Sequence, residues 1–302
     1  MSLHVWSSAR YSFPLPEGHR FPIIKYARLR ERVIADGLVA ADCVHDPARV
    51  SLEDLLLVHT ADYVDRFTHG ALTADEERRL GFPWSLALVE RAYRAAGGTN
   101  EAARAALQHG ITMNLAGGTH HAFPSHGEGF CVFNDVAIAI RALQRDRLID
   151  RAAVIDLDVH QGNGTHAVFA DDDRVFTFSM HGGRNYPFHK VAGDLDIELA
   201  DHTGDDAYLS LLAEALPRVI DAARPDLVIY LAGADPHEHD RLGRLSLTFD
   251  GLARRDSMVL DQCREVGIPV AVTIAGGYGN PIDDTVQVHV TTTSIAARYS
   301  RS

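Results

Sequence analysis

An α/β fold, with a mostly parallel β-sheet covered by helices on both faces, is what this sequence predicts, and three observations predict it. Strand-length apolar runs alternate along the chain with longer amphipathic or Ala-rich stretches. The strand-like runs are apolar on both phases, as strands are when both of their faces are covered. Several of them end in Gly-rich turns carrying polar functional groups, and such turns converge at the carboxyl edge of a parallel sheet. No repeat, low-complexity tract or linker interrupts the pattern, so residues 1–302 are expected to form a single domain.

Composition narrows the class. The 302 residues are 46% hydrophobic and 23% charged, an ordinary globular balance. No apolar run reaches membrane-spanning length, and the N-terminus lacks the basic start and apolar core of a secretory signal. Cys43, Cys131 and Cys263 are scattered and odd in number, which excludes a disulfide scaffold and points to a reducing cytoplasm. A formal net charge of -12 argues against nucleic acid and, taken alone, favours basic partners.

Taken in order, residues 3–13 read as an opening strand, followed by a loop at Pro14, Pro16 and Gly18. Pro22 stands near the first turn of a helix over 23–38. Thr60 is placed to cap a helix that starts at Ala61. Residues 80–85 form an aromatic loop, either a core staple or a pocket wall, before a helix over 87–107 softly broken at Gly97-Gly98. A strand over 111–116 runs into Gly117-Gly118-Thr119-His120-His121. A second loop, 127–135, offers Phe130 to a channel, and Asn134 or Asp135 caps an Ala-rich helix through Leu148. Further strands are expected at 152–159, 175–179, 227–232 and 270–274. Helices are expected at 205–223, kinked at Pro217, at 248–266 and at 282–299, the last weakened by Thr291-Thr292-Thr293.

The organising stretch is 152–166. Its strand is interrupted only by Asp156 and Asp158, which are costly to bury without charge partners. Asp158 and His160 lie two apart and so project to one side of a strand end, as ligands for a borderline metal such as Zn²⁺ would. Asp235, at another strand end, makes a third ligand and leaves positions open for water and substrate. His120 and His121 supply a general acid and base near neutral pH. Asp156 is available to fix and strengthen one imidazole, and Asn163 to hold the other without charging it. Tyr278, between glycines, can donate its hydroxyl to a developing oxyanion. This set suits hydrolysis of an amide or ester carbonyl.

Gly117-Gly118-Thr119-His120-His121, Asp156-Leu157-Asp158-Val159-His160-Gln161-Gly162-Asn163-Gly164, Ala232-Gly233-Ala234-Asp235-Pro236 and Gly276-Gly277-Tyr278, in this order, resemble the zinc-dependent histone deacetylase family. That family includes bacterial acetylpolyamine deacetylases and acetoin-utilisation proteins, and His19-Arg20-Phe21-Pro22, His160–Gly164 and Asp240-Arg241-Leu242-Gly243 look most like its class IV branch and bacterial relatives. The resemblance implies the three-layer arginase/deacetylase fold and a zinc ion on Asp158, His160 and Asp235. It implies His120 backed by Asp156, His121 held by Asn163 as the base, and Tyr278 as oxyanion donor. Gly129, Phe130, Tyr186, Leu242 and Gly277 would line or shape the acyl channel. A potassium ion is implied on the side chains of Asp156, Asp158 and Ser179 and the carbonyls of His160 and Met180, where it would offset two close buried acids.

The implied substrate is an acetyl or longer acyl group on lysine, with an acylated polyamine or other small amine as the alternative. Asn163 stands where class I enzymes have aspartate, which should leave His121 less basic. His237 and His239 are expected to be solvated loop residues. A non-catalytic acyl-lysine reader is disfavoured because no ligand or tyrosine is lost. A dimanganese ureohydrolase is disfavoured because Gly162 replaces the acid it would need two residues after His160.

Overall fold

Eight parallel strands form one sheet in this computed structural model, which describes residues 2–301. They are β1 (His4–Trp6), β2 (Val44–His45), β3 (Ile111–Asn114), β4 (Ala152–Asp156), β5 (Val175–Gly182), β6 (Leu195–Leu199), β7 (Leu227–Leu231) and β8 (Val270–Thr273), in the order β2-β1-β3-β8-β7-β4-β5-β6. The four middle strands β3, β8, β7 and β4 are buried at every residue. That is why they read as continuous apolar runs: helices cover a parallel sheet and leave no polar face. The helices are α1 (Ile24–Ala35), α2 (Leu52–Leu55), α3 (Ala61–His69), α4 (Ala74–Leu80), α5 (Leu86–His109), α6 (Asp135–Arg145), α7 (Asn163–Phe169), α8 (Asp205–Ala223), α9 (Phe249–Glu265) and α10 (Ile282–Arg301). Among the described residues no helix is long and apolar enough to cross a membrane, and the three cysteines are free and buried.

Several helix starts follow from their caps. Thr60 accepts from the Tyr63 amide, Asn134 from Ala137 and Thr248 from Gly251, each filling a donor that the first turn leaves unpaired. Asp135, the alternative cap for α6, instead accepts from the amides of Gly118 and Thr119 and ties down the loop after β3.

The structure corrects the reading in places. The opening strand covers only His4–Trp6, and a 3-10 turn at Ala9–Tyr11 follows it. Helix α5 runs unbroken through Gly97 and Gly98, whose lack of a Cβ admits neighbours: a Cβ on Gly97 would lie 2.0 Å from the Ala48 carbonyl oxygen. The β4 strand stops at Asp156 rather than reaching Val159. Beyond it the aspartates take over as acceptors, since the Asp158 amide donates to Asp156 (3.1 Å) and the His160 amide to Asp158 (2.9 Å). Helix α8 contains Pro217 without interruption, and α10 tolerates its threonines because Thr292 donates to Asp256 and Thr293 to the His289 carbonyl. The sequence pattern does not predict strands β2 and β6 or helices α2, α4 and α7. Each is short, and β6 shows a mostly half-buried edge pattern with no long apolar signal.

Candidate metal centre and active site

The middle strands carry the site. His120 and His121 follow β3, Tyr278 follows β8, Asp235 follows β7, and Asp158 and His160 follow β4, and these strands are adjacent in the sheet. Residues remote in sequence meet because their strands end side by side, as where the Gly276 amide donates to Asp158 Oδ2 at 2.7 Å.

Asp158, His160 and Asp235 are buried and bring one ligand atom each within 4.8 Å of the others. His160 Nδ1 lies 2.9 Å from Asp158 Oδ1 and 3.2 Å from Asp235 Oδ2. Asp235 Oδ2 is buried without a hydrogen-bond partner, an arrangement that is expensive unless a cation faces it. Burial, then the adjacent Asp158, push Asp235 up to about 7. Burial acts to lower His160, but Asp158 and Asp235 reverse it and raise the imidazole to about 10. Two close buried carboxylates and an imidazole that demand positive charge between them fit a borderline dication, and no thiolate competes for it.

The two histidines beside this group differ. Nδ1 of His120 lies 2.6 Å from Asp156 Oδ2, whereas Nδ1 of His121 lies 2.7 Å from Asn163 Oδ1. Burial opposes charge on both. At His120 the Asp156 carboxylate overcomes it and raises the ring to about 9. At His121 burial and the charges of His120 and His160 outweigh the Asn163 hydrogen bond, and its pKa falls well below the ordinary value.

The sequence reading missed Glu128 as a partner of Asn163, whose Nδ2 donates to Glu128 Oε1 at 2.8 Å. Burial acts to raise Glu128, but hydrogen bonds with His126, Asn163 and Tyr186 hold it below its ordinary value. Lys25 was missed as well. It is 1% exposed, and its ammonium donates to the carbonyls of Ala275 and Gly277 at 3.3 Å each, under the Tyr278 ring. Arg255, fully buried, donates to the carbonyls of Gly233 and Leu157 and pairs with Asp256, bracing two ligand loops from below. A lone charged residue in an amphipathic helix gives no sequence sign that it will be buried.

The Tyr278 ring sits 6.2 Å from His160, nearly perpendicular to it, and burial raises its phenol well above the ordinary value. An open cavity of about 520 Å³ leads from the surface to His121, His160 and Tyr278. Gly129, Phe130, Tyr186 and Leu242 all line it. A Cβ on Gly129 would lie 2.7 Å from His121 Cδ2, so the close approach of this wall segment to the imidazole needs a glycine. Gly277 does not line this cavity. It packs beneath it, against Thr285 and Ala234.

Asp156 and Ser179 are register partners across β4 and β5, which sets the Ser179 side chain beside the acid. The Ser179 hydroxyl lies 2.9 Å from His181 Nδ1. Leu80 and Gly81 line the cavity while Phe82 packs in the core, so the 80–85 loop serves as both wall and staple. His237 is not solvated: it is 3% exposed, packed 4.3 Å from Phe249, because the loop after β7 folds back onto the start of α9. His239 is exposed and pairs with Asp284.

Known proteins resemble this chain in sequence and fold. Residues 19–293 match the histone deacetylase domain. An uncharacterized protein of Picosynechococcus is 47% identical over 92% of this chain and 93% of its own length. Histone deacetylase 2 of Arabidopsis thaliana is 35% identical over 86% of this chain and 70% of its own, and a histone deacetylase-like amidohydrolase of Pseudomonas aeruginosa 31% over 88% and 74%. A solved histone deacetylase homolog complexed with SAHA superposes with a TM-score of 0.87 at 25% identity, covering all of this chain and 84% of that one. With the histone deacetylase domain matched over residues 19–293 of its 302 and the fold shared along its full length, the chain belongs to the histone deacetylase family of hydrolases.

Proposed function

We propose that this protein is a zinc-dependent deacylase that hydrolyses the acyl amide of lysine side chains. The observation that carries the reading is the buried Asp158–His160–Asp235 group, with its orphaned carboxylate oxygen, whose His160 lines a cavity together with His121 and Tyr278. When bound there, Zn²⁺ supplies Lewis acidity to the amide carbonyl and to the attacking water.

The chain's own residues do the rest. An ionised Glu128 only accepts hydrogen bonds, so Asn163 must turn its NH₂ toward Glu128 and its carbonyl oxygen toward His121. His121 therefore carries its proton on Nδ1 and presents a bare Nε2, and its lowered pKa keeps it neutral and able to take a proton from water. His120, raised to about 9, is protonated at neutral pH and is suited to give a proton to the departing amine. The Tyr278 phenol, raised by burial, stays protonated and donates to the carbonyl oxygen as charge builds on it. Phe130, Tyr186 and Leu242 hold the acyl–lysine stem and exclude water from the cavity. The side chains of Asp156, Asp158 and Ser179 with the carbonyls of His160 and Met180 are proposed to hold a potassium ion, supported by the burial of both acids and the Asp156–Ser179 register.

The test is a panel of acetyl-, octanoyl- and myristoyl-lysine peptides with acetylated putrescine. Conversion of at least one peptide to its unmodified lysine form, with release of the carboxylic acid, supports the reading, and hydrolysis of the putrescine amide alone would replace it.

A further inference from the structure

The mouth of the cavity is cationic, in a chain whose formal net charge is -12. Arg20, Arg78, Arg79, Arg184 and Arg244 all line it, and no aspartate or glutamate does. They come from four separate segments: the loop before α1, the last turn of α4, the loop after β5 and the loop after β7. A locally basic stretch of sequence cannot explain such convergence. The bland account of Arg78 and Arg79 is that they complement the carbonyl end of α4. It leaves Arg20, Arg184 and Arg244 without a reason.

Neutralisation is incomplete. Arg78 pairs with Asp75, and Arg184 and Arg244 share Asp201, at 3.7 and 2.9 Å. Among the described residues Arg20 and Arg79 have no carboxylate partner, and both are exposed. Among the described residues the five arginines thus have only two paired acids, Asp75 and Asp201, at an opening walled by protein, where field lines concentrate. Tyr186 and Phe188, the latter 82% exposed, add an aromatic ledge beside them.

We propose that the substrate carries negative charge next to the scissile amide, as an acyl-lysine set among acidic residues does, and is not a cationic acylated polyamine. This rests on the deacylase reading of the site. Net charge alone favours basic partners, and the local field at the mouth reverses that expectation. Deacylation also turns a neutral amide into an ammonium group, which the same arginines repel, so the rim favours product release as well as substrate capture.

The test uses metal-loaded enzyme and three acetyl-lysine peptides of equal length, flanked by Glu, Gln or Lys, with N-acetylputrescine as a fourth substrate. Hydrolysis is read as kcat/KM and binding by fluorescence anisotropy, in about 20 mM and about 500 mM salt. The Glu-flanked peptide should exceed the Lys-flanked one by about tenfold or more in both readouts at low salt, with most of that ratio lost at high salt. In the double variant Arg20→Glu/Arg79→Glu the ratio should invert, and because it is taken within one variant, any general loss of activity cancels. Equal use of the three peptides, preference for the Lys-flanked one, or N-acetylputrescine as the best substrate would overturn the proposal while leaving deacylation standing. Charge-ordered binding without hydrolysis of any substrate would keep the rim's role and sink the deacylase reading.

Discussion

Glu128 and Asn163 form a hydrogen bond of 2.8 Å in which the carboxylate accepts from the amide, and this one contact decides which way Asn163 faces His121. In Glu128→Gln the new side chain can itself donate, so Asn163 is free to turn its NH₂ to the imidazole and force the proton onto Nε2. Turnover should fall by about a hundredfold, the lower end of what a general base contributes. Adding Asn163→Asp to Glu128→Gln places an acceptor toward both neighbours and should restore much of the loss. The ¹⁵N shifts of His121 report the tautomer directly; an Nδ1–H signal and wild-type turnover in Glu128→Gln would remove Glu128 from the mechanism.

Tyr278→Phe should lower single-turnover rate by about a hundredfold to a thousandfold with acyl-peptide affinity nearly unchanged, because the hydroxyl acts on charge that appears only in the transition state. Gly277→Val should mimic it. Gly277 has φ of 146°, and a Cβ there would lie 2.5 Å from Thr285 Cγ2, so the tyrosine loop must shift. A Tyr278→Phe enzyme with wild-type rate would mean that the ring only packs.

Metal affinity should rise with pH. Asp235 is raised to about 7 and His160 to about 10, so below pH 7 both hold protons that the metal must displace. Above pH 7 only His160 does. Each displaced proton is worth about tenfold in affinity per pH unit. Chelator competition between pH 6 and 9 should therefore show a steeper slope below 7 than above, and a flat profile would contradict these ligands.

Gly97→Ala tests the packing of α5 against the 48–50 segment. In an open helix the change would stabilise by about 0.5–1 kcal/mol. Here the new Cβ would lie 2.0 Å from the Ala48 backbone oxygen, which cannot swing away like a side chain. Overpacking of about 1–3 kcal/mol should win, and chemical denaturation would show a lower midpoint. A stabilised variant would mean that the 48–50 segment yields freely.

Much of this arrangement was legible in the sequence, for a physical reason. The central strands are buried on both faces, so they had to be apolar runs, and a Gly turn bearing His120, Asp158, Asp235 or Tyr278 just past one had to lie at a shared edge. The ligand geometry was legible only in part. Asp158 and His160 read as alternate positions on a strand, but the strand ends at Asp156 and the aspartates' own hydrogen bonds to following amides aim the proposed ligands. Glu128, Lys25 and Arg255 were illegible because each matters through a contact with a residue distant in sequence. The arginine rim escapes notice for the same reason: its members are spread from Arg20 to Arg244 and disappear into a net negative total.

The central claim is that a metal held by Asp158, His160 and Asp235 is required for removing an acyl group from lysine. Its most direct test is hydrolysis of an acyl-lysine peptide by chelator-stripped protein titrated with Zn²⁺. The stripped protein should leave the acyl-lysine peptide intact, and adding about one equivalent of metal should give full conversion to the unmodified lysine peptide and the free carboxylic acid. Stripped protein that hydrolyses the peptide at the full rate would contradict the claim.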